Sequence, residues 1–260
     1  MNKEYRCKSQ FDLDGKMRSA QSLILSGPQG VAVAAYALSG TAARASLLQN
    51  LTIDSTENGS VTQIKIAGQN LNTTDQPGHV AAFSGAANAV GVRQRFIGIA
   101  VKAQQASTIA IDGTLVAAGD INFGVSLHPV DDSQVPTIEE QASFFNYYAG
   151  LGSIAVPPAG NAQLRAVTTR SCKLGWLILT NETAAVPNND LTITSIEING
   201  LEYLGGNNNQ AVSFDQFAPT AADVLGNMLH AEVEANAVIL ITCANKGGAA
   251  ATITGTIFCE

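Results

Sequence analysis

At 260 residues the chain is long enough for two ordinary domains, and its formal net charge of −7 does not suggest a general nucleic-acid binder. Only 13% of its residues are charged, against roughly 25% in ordinary soluble proteins, so copies of its surface repel one another weakly. The charge is uneven: the first 18 residues carry a net +2, and the rest carry −9.

The basic start consists of Lys3, Arg6, Lys8, Lys16 and Arg18, against Glu4, Asp12 and Asp14. No apolar stretch follows it, so it does not read as a secretory leader, and folding in a cytoplasm is expected. Residues 1–20 are therefore taken as an N-terminal arm whose five basic side chains would face phosphate, in lipid or in a genome. The Asn-x-Ser/Thr triplets at Asn50, Asn58, Asn72 and Asn181 read as chance in an Asn-rich chain of this kind.

From residue 21 the dominant period is two, broken by Gly, Asn and Pro clusters, which is the pattern of short strands. Eight strands are expected in residues 21–130, near 22–26, 31–37, 46–53, 61–67, 79–83, 96–102, 107–112 and 121–127. Residues 131–150 are expected as a linker with a short helix, "TIEEQASFFNYY" (137–148), carrying Thr137 as N-cap and Glu140 at the capping-box position. Eight more strands are expected in residues 151–260, near 153–157, 163–168, 173–180, 191–198, 211–214, 229–234, 237–243 and 252–259. "PTAADVLGNML" (219–229) reads as a second short helix, with "AANAVGVRQRF" in the matching place of the first half.

The two halves share a register. "VTQIKIAG" (61–68) and "ITSIEING" (193–200) match at an offset of 132, and the same offset brings Ile109 onto Ile241 and Val125 onto Ile257. Upstream the offset is 126, bringing Leu48 onto Leu174 and Leu51 onto Leu177. The change falls in a turn, where "STENGS" becomes the longer "NETAAVPNND", as expected for copies of one domain that diverge in their loops. The reading is ungapped from Val61 to Leu127. The fold class is thus all-β: two tandem eight-stranded jelly-roll sandwiches, internally duplicated. Ile64, Ile66, Ile109, Ile196, Ile198 and Ile241 are assigned to the cores.

Little chemistry is visible. His79, His128 and His230 stand apart from any acid or nucleophile partner in sequence, and no HExxH, GxSxG or P-loop pattern occurs. "GLGSIA" (150–155) fits a loose glycine motif, but Pro157 and Pro158 prevent a phosphate-binding helix from starting there. Asp131, Asp132, Glu139 and Glu140 read as solvated linker charges. The four cysteines, Cys7, Cys172, Cys243 and Cys259, lack metal spacing. Cys243 and Cys259 read as core positions on a hairpin in which Cys243 would lie near Thr252, too far from Cys259 for a disulfide. Trp176 in "LGWLILT" fits a buried strand, with sugar stacking as the other reading. No catalytic residue, cofactor or metal is expected.

The repeated "VTQIKIAG…INFGVSL" and "ITSIEING…ITGTIF", with eight strands per copy, resemble the double jelly-roll major capsid proteins of tailless icosahedral viruses, bacteriophages among them. The resemblance is architectural, spans about residues 20–260 and contains no diagnostic motif. It implies a virion structural protein, assembled in the host cytoplasm, whose two rolls stand side by side. Three chains would form a pseudo-hexagonal tile of six rolls in a capsid lattice. Its partners would be other copies of itself, other virion proteins such as penton and minor proteins, and internal membrane lipid or genome at Lys3, Arg6, Lys8, Lys16 and Arg18. The chain lacks long loops, so the outer crown would be low. Alternatives are a phage head-decoration or fibre protein of two β-sandwich modules, and a tandem carbohydrate-binding or adhesive module. The last is disfavoured by an aromatic content of 6%.

Overall fold

The computed structural model describes residues 21–26, 35–41, 46–66, 68–84, 100–101, 108–129, 147–204, 211–219 and 228–259. The first half supplies β1 (Gln21–Ser26), β2 (Tyr36–Thr41), β3 (Ser46–Ser55), β4 (Gly59–Ile66), β5 (Gln69–Asn70), β6 (Gly78–His79), β7 (Ala100–Val101), β8 (Thr108–Leu115) and β9 (Ile121–Pro129). The second supplies β10 (Tyr147–Val156), β11 (Gly160–Val167), β12 (Cys172–Asn181), β13 (Leu191–Ile198), β14 (Leu201–Leu204), β15 (Val212–Ser213), β16 (Met228–Val233), β17 (Val238–Asn245) and β18 (Ala251–Cys259). Helical structure among the described residues is limited to 3-10 turns at Val80–Phe83, Asn188–Asp190 and Phe214–Phe217.

Each half is a two-sheet sandwich. Roll 1 has the orders β1-β9-β3-β7 and β2-β8-β4-β5, with β6 also on β4. Roll 2 has β10-β18-β12-β16 and β11-β17-β13-β14, with β15 also on β13. Adding nine to each strand number converts one roll into the other. First and last strands pair side by side, and successive long strands alternate between the two sheets, which is the jelly-roll arrangement.

The repeated sequence is the mark of a shared bulge. In β4, Val61 is opposite Gly113 and Ile64 opposite Ile111, with a register shift between Val61 and Gln63. In β13 the shift lies between Ile193 and Ser195. One extra residue re-phases the alternation, so buried positions run Gly59, Val61, Ile64, Ile66 in one strand and Leu191, Ile193, Ile196, Ile198 in the other. Each strand then turns through a glycine with φ of 82°, Gly68 and Gly200, a conformation that a side chain strains.

The pairing registers correct part of the sequence reading. Ile64 faces Ile111, whereas Ile196 faces Ile241, so β8 and β17 correspond at an offset of 130, and Ile109 matches Ile239. The offset returns to 132 at β9 and β18, because the path from Asn245 to Ile253 is two residues longer than the equivalent path from Leu115 to Ile121, and β18 starts two residues earlier to take them up. A shift of two keeps the side chain on the same face. All six assigned isoleucines are therefore core, none more than 3% exposed.

Other differences have local causes. Residues 80–83 form a 3-10 turn where a strand was expected, capped by His79, whose Nδ1 accepts from the Ala81 N–H. β2 runs Tyr36–Thr41 and so extends past the expected end at 37; residues 31–34 lie outside the described residues. β10 begins at Tyr147, inside the segment expected as linker, so the last two residues of the expected helix, Tyr147 and Tyr148, are strand; the rest of it, with Thr137 and Glu140, lies outside the described residues. Of the expected helix at 219–229, Met228 and Leu229 belong to β16; most of the rest, like 86–96, lies outside the described residues. Cys243 and Cys259 are not on a hairpin, because β17 and β18 lie in different sheets; Cys243 faces Ala162 and Ile193, and Cys259 faces Tyr147 and Leu174.

Truncating Ile198 leaves a cavity in roll 2. Ile198→Ala is expected to cost about 2–5 kcal/mol, read as a lowered denaturant midpoint with an unchanged slope.

Candidate functional site at the seam between the rolls

The strands of roll 2 explain where the two rolls meet. A half-exposed strand alternates; a strand covered on both faces is apolar throughout. β12 is buried without interruption from Leu174 to Leu179. Leu174, Leu177 and Leu179 pack inside roll 2. Trp176 and Ile178 point the other way and join the core of roll 1, together with Tyr148 of β10 and Phe258 of β18. One face of this sheet is therefore roll 2's own core, and the other is covered by roll 1.

The covering segment is Leu71–Phe83. Phe83 stands edge-on to Tyr148, with ring centroids 5.1 Å apart, and edge-on to Phe258 at 5.5 Å. Such pairs contribute about 0.5–1.5 kcal/mol each beyond burial. Upstream the backbone is stitched to roll 2. Thr73 N–H donates to Tyr148 O at 2.7 Å, Tyr148 N–H to Leu71 O at 2.9 Å, Thr169 N–H to Thr73 O at 2.7 Å and Gly152 N–H to Pro77 O at 3.0 Å.

Asn72 organises this stretch. Its side-chain oxygen accepts from Gly150 N–H at 3.2 Å and from Thr74 N–H at 3.2 Å, while its amide donates to Thr62 O at 3.1 Å and Gln76 O at 2.8 Å. Thr74 donates its hydroxyl to Gly150 O at 2.6 Å. Gly150 admits no side chain, since a Cβ there would lie 2.2 Å from Gln76 O.

At the far end His79 crosses the seam. Its N–H donates to the Thr256 hydroxyl at 3.0 Å, and its Nε2 lies 3.4 Å from Glu182 Oε1. Nδ1 accepts from Ala81 N–H at 3.2 Å, so the neutral ring carries its proton on Nε2, toward Glu182. Burial lowers the His79 pKa from 6.5 to about 4. Burial also raises that of Glu182, against a hydrogen bond from Thr254. Glu182 thus carries less negative charge at acid pH.

The same sheet face in roll 1 has a different composition. The registers place Asn50, Thr52 and Asp54 of β3 where roll 2 has Trp176, Ile178 and Thr180. They place Asn122, Gly124 and Ser126 of β9 where roll 2 has Thr254, Thr256 and Phe258. Asp54 is exposed, and Thr52 and Asn122 are partly so.

The residues singled out beforehand distribute unevenly. Trp176 is a seam residue, 2% exposed, and His79 is a seam residue as well. Lys3, Arg6, Lys8, Lys16, Arg18 and Cys7 lie outside the described residues, as do Asp131, Asp132, Glu139 and Glu140. His230 is exposed on β16. Asn72, met in sequence only as an Asn-x-Ser/Thr triplet, and Thr74, Tyr148 and Glu182 carried no signal of a seam role. Among the described residues no group of three His, Cys, Asp or Glu side chains is placed to hold a metal, and no helix is long and apolar enough to cross a membrane.

No protein-family model matches the chain, and no curated protein matches it. Among solved structures it is similar to the major capsid protein P2 of bacteriophage PM2, with a TM-score of 0.40, 10% identity, and coverage of 92% of this chain and 98% of that one. It is similar to PNGF-II with a TM-score of 0.36, 9% identity, and coverage of 92% and 65%. It is similar to PBCV-1 VP54, fitted into a reconstruction of the virophage Sputnik, with a TM-score of 0.34, 9% identity, and coverage of 92% and 94%. The fold assignment rests on the strand orders and registers.

The seam is expected to weaken in acid. The unfolded His79 ring takes its proton near 6.5 and the folded one only near 4. The unfolded chain therefore binds more protons in that window, and stability falls as pH drops through it. Glu182, with its raised pKa, acts in the opposite direction and only near its own titration. The His79 contribution amounts to at most about 3 kcal/mol. Denaturant melts between pH 7 and pH 4 should show a steeper loss for the natural chain than for His79→Gln.

Proposed function

We propose that the chain is the major structural subunit of an icosahedral shell, a capsid protein with no enzymatic role, and that three copies form a tile of six rolls. The carrying observation is the inequality of the two equivalent sheet faces. In roll 2 the face of β10-β18-β12-β16 is consumed within the chain by the segment that follows β4 of roll 1. In roll 1 the corresponding positions of β3 and β9 are held by Asn50, Thr52, Asp54, Asn122, Gly124 and Ser126, none of them apolar, and Asp54 is exposed. The counterpart of the covering segment in roll 2 begins at β14, where Leu201 and Tyr203 are 64% and 42% exposed.

Repeating the internal seam between chains would place roll 2 of one copy against roll 1 of the next. Such a head-to-tail contact closes into a ring when its rotation allows; with two similar rolls per chain, three chains give six near-equivalent flanks. A polar receiving face suits a contact made after folding, whereas the apolar one suits a contact that never opens. The matching strand orders also support descent of both rolls from one duplicated domain. The arm bearing Lys3, Arg6, Lys8, Lys16 and Arg18 would turn inward, toward lipid or genome. Penton and minor virion proteins would meet the tile's rim.

Light scattering on the purified chain should give a trimer, and electron microscopy of particles should show six-lobed tiles. Tyr203→Asp should weaken trimer formation at least about tenfold, roughly 1.4 kcal/mol, without moving the thermal midpoint of the isolated subunit. A natural chain that stays monomeric at all concentrations would favour the decoration-protein, fibre or binding-module alternatives.

A further inference from the structure

We propose that Cys172 and Cys259 form a modification site, a dithiol that closes to an intrachain disulfide in the presence of oxidised glutathione. In the β12–β18 ladder Leu174 is opposite Cys259, and Cys172 lies two residues before Leu174 on the same face, diagonal to Cys259. Cys259 belongs to the inner packing of roll 2 and Cys172 packs against it, near enough for the two thiols to shift each other's titration. The Thr73 hydroxyl, reaching over from roll 1, lies 3.8 Å from Cys172 Sγ.

The two thiols differ in ways that suit attack and resolution. Cys172 is partly exposed and Cys259 fully buried. The Cys172 thiol is held below its ordinary pKa by the neighbouring Cys259 thiol, with help from Thr73 and the Arg170 guanidinium against the effect of burial. Burial pushes the Cys259 thiol up. A lowered, accessible thiol beside a second cysteine is the arrangement that oxidises selectively. Cys243 provides the contrast: it is buried within the β11-β17-β13 ladder, its thiol pushed up to about 12. Roll 1 has Ser46 and Leu127 at the positions matching Cys172 and Cys259, so the pair belongs to roll 2 alone.

The exchange balances as follows. The Cys172 thiolate attacks one sulfur of glutathione disulfide, forming a mixed disulfide and releasing one glutathione thiolate. Cys259 then loses its proton, attacks the Cys172 sulfur and expels the second glutathione. Two protein thiols are oxidised, one glutathione disulfide is reduced to two thiols, and one new S–S bond joins β12 to the end of β18.

The test uses the folded full-length chain with Cys7→Ser, incubated with millimolar oxidised glutathione, alkylated and digested. The expected result is a cross-linked peptide pair containing Cys172 and Cys259, loss of two hydrogens in the intact mass, reversal by dithiothreitol, and Cys243 alkylated only after unfolding. The oxidised form should melt roughly 5 °C higher than the reduced form, because the closed loop restricts the unfolded chain. A stable glutathione adduct on Cys172 that never resolves, or both thiols remaining free, overturns the proposal. The measurement requires no change at either cysteine, so a failure to fold cannot confuse it.

Discussion

The rest of the molecule depends on one burial event: the sheet that opens roll 2 is covered on both sides. Its inner face closes its own sandwich, and its outer face closes the core of roll 1 through Trp176, Ile178, Tyr148 and Phe258. Two sandwiches joined only by a linker would each need a polar outer surface. Here the core of roll 1 extends onto apolar side chains of roll 2, while roll 2 keeps a second core of its own. Fully burying such side chains contributes about 1.5–3 kcal/mol each, more than any single hydrogen bond at the seam.

The polar residues of the seam act differently. Asn72, Thr74 and Gly150 contribute modest net energy, since a satisfied hydrogen bond is worth about 0.5–1.5 kcal/mol. What they determine is position. Asn72 contacts two stretches of roll 1 and one strand of roll 2, and Gly150 allows the chain at Gln76–Gly78 to approach where any side chain would collide. Burial supplies the free energy and these contacts select one docking geometry. His79 and Glu182 add a titratable element at the far end of the same contact.

Much of this architecture was legible in sequence for a physical reason. A bulge leaves an apolar spacing that repeats wherever the bulge repeats, so "VTQIKI" and "ITSIEI" could be matched. A strand buried on both faces loses its alternation, so "LGWLIL" read as a buried strand around Trp176, although nothing in it told that its outer face meets the other roll. The segment from Gln69 to His79 was not legible. Its residues pair through side-chain amides and hydroxyls across two rolls, which leaves no period to detect. The offset of 130 at β8 and β17 was hidden because a slip of two residues preserves the face and almost all the apolar character. Cys172 and Cys259 are neighbours only through strand order, which spacing along the chain does not reveal.

The single tryptophan reports on the seam directly, because Trp176 is 2% exposed and lies between the rolls. Acrylamide quenching of its fluorescence, in the natural chain and in Asn72→Ala, tests the central claim. The account requires a blue-shifted, quencher-resistant emission in the native chain. It also requires a red-shifted, quenchable emission in the variant at denaturant concentrations where the strand signal in circular dichroism is unchanged. Native emission at the wavelength of water-exposed indole, quenched as freely as in the unfolded chain, would contradict it.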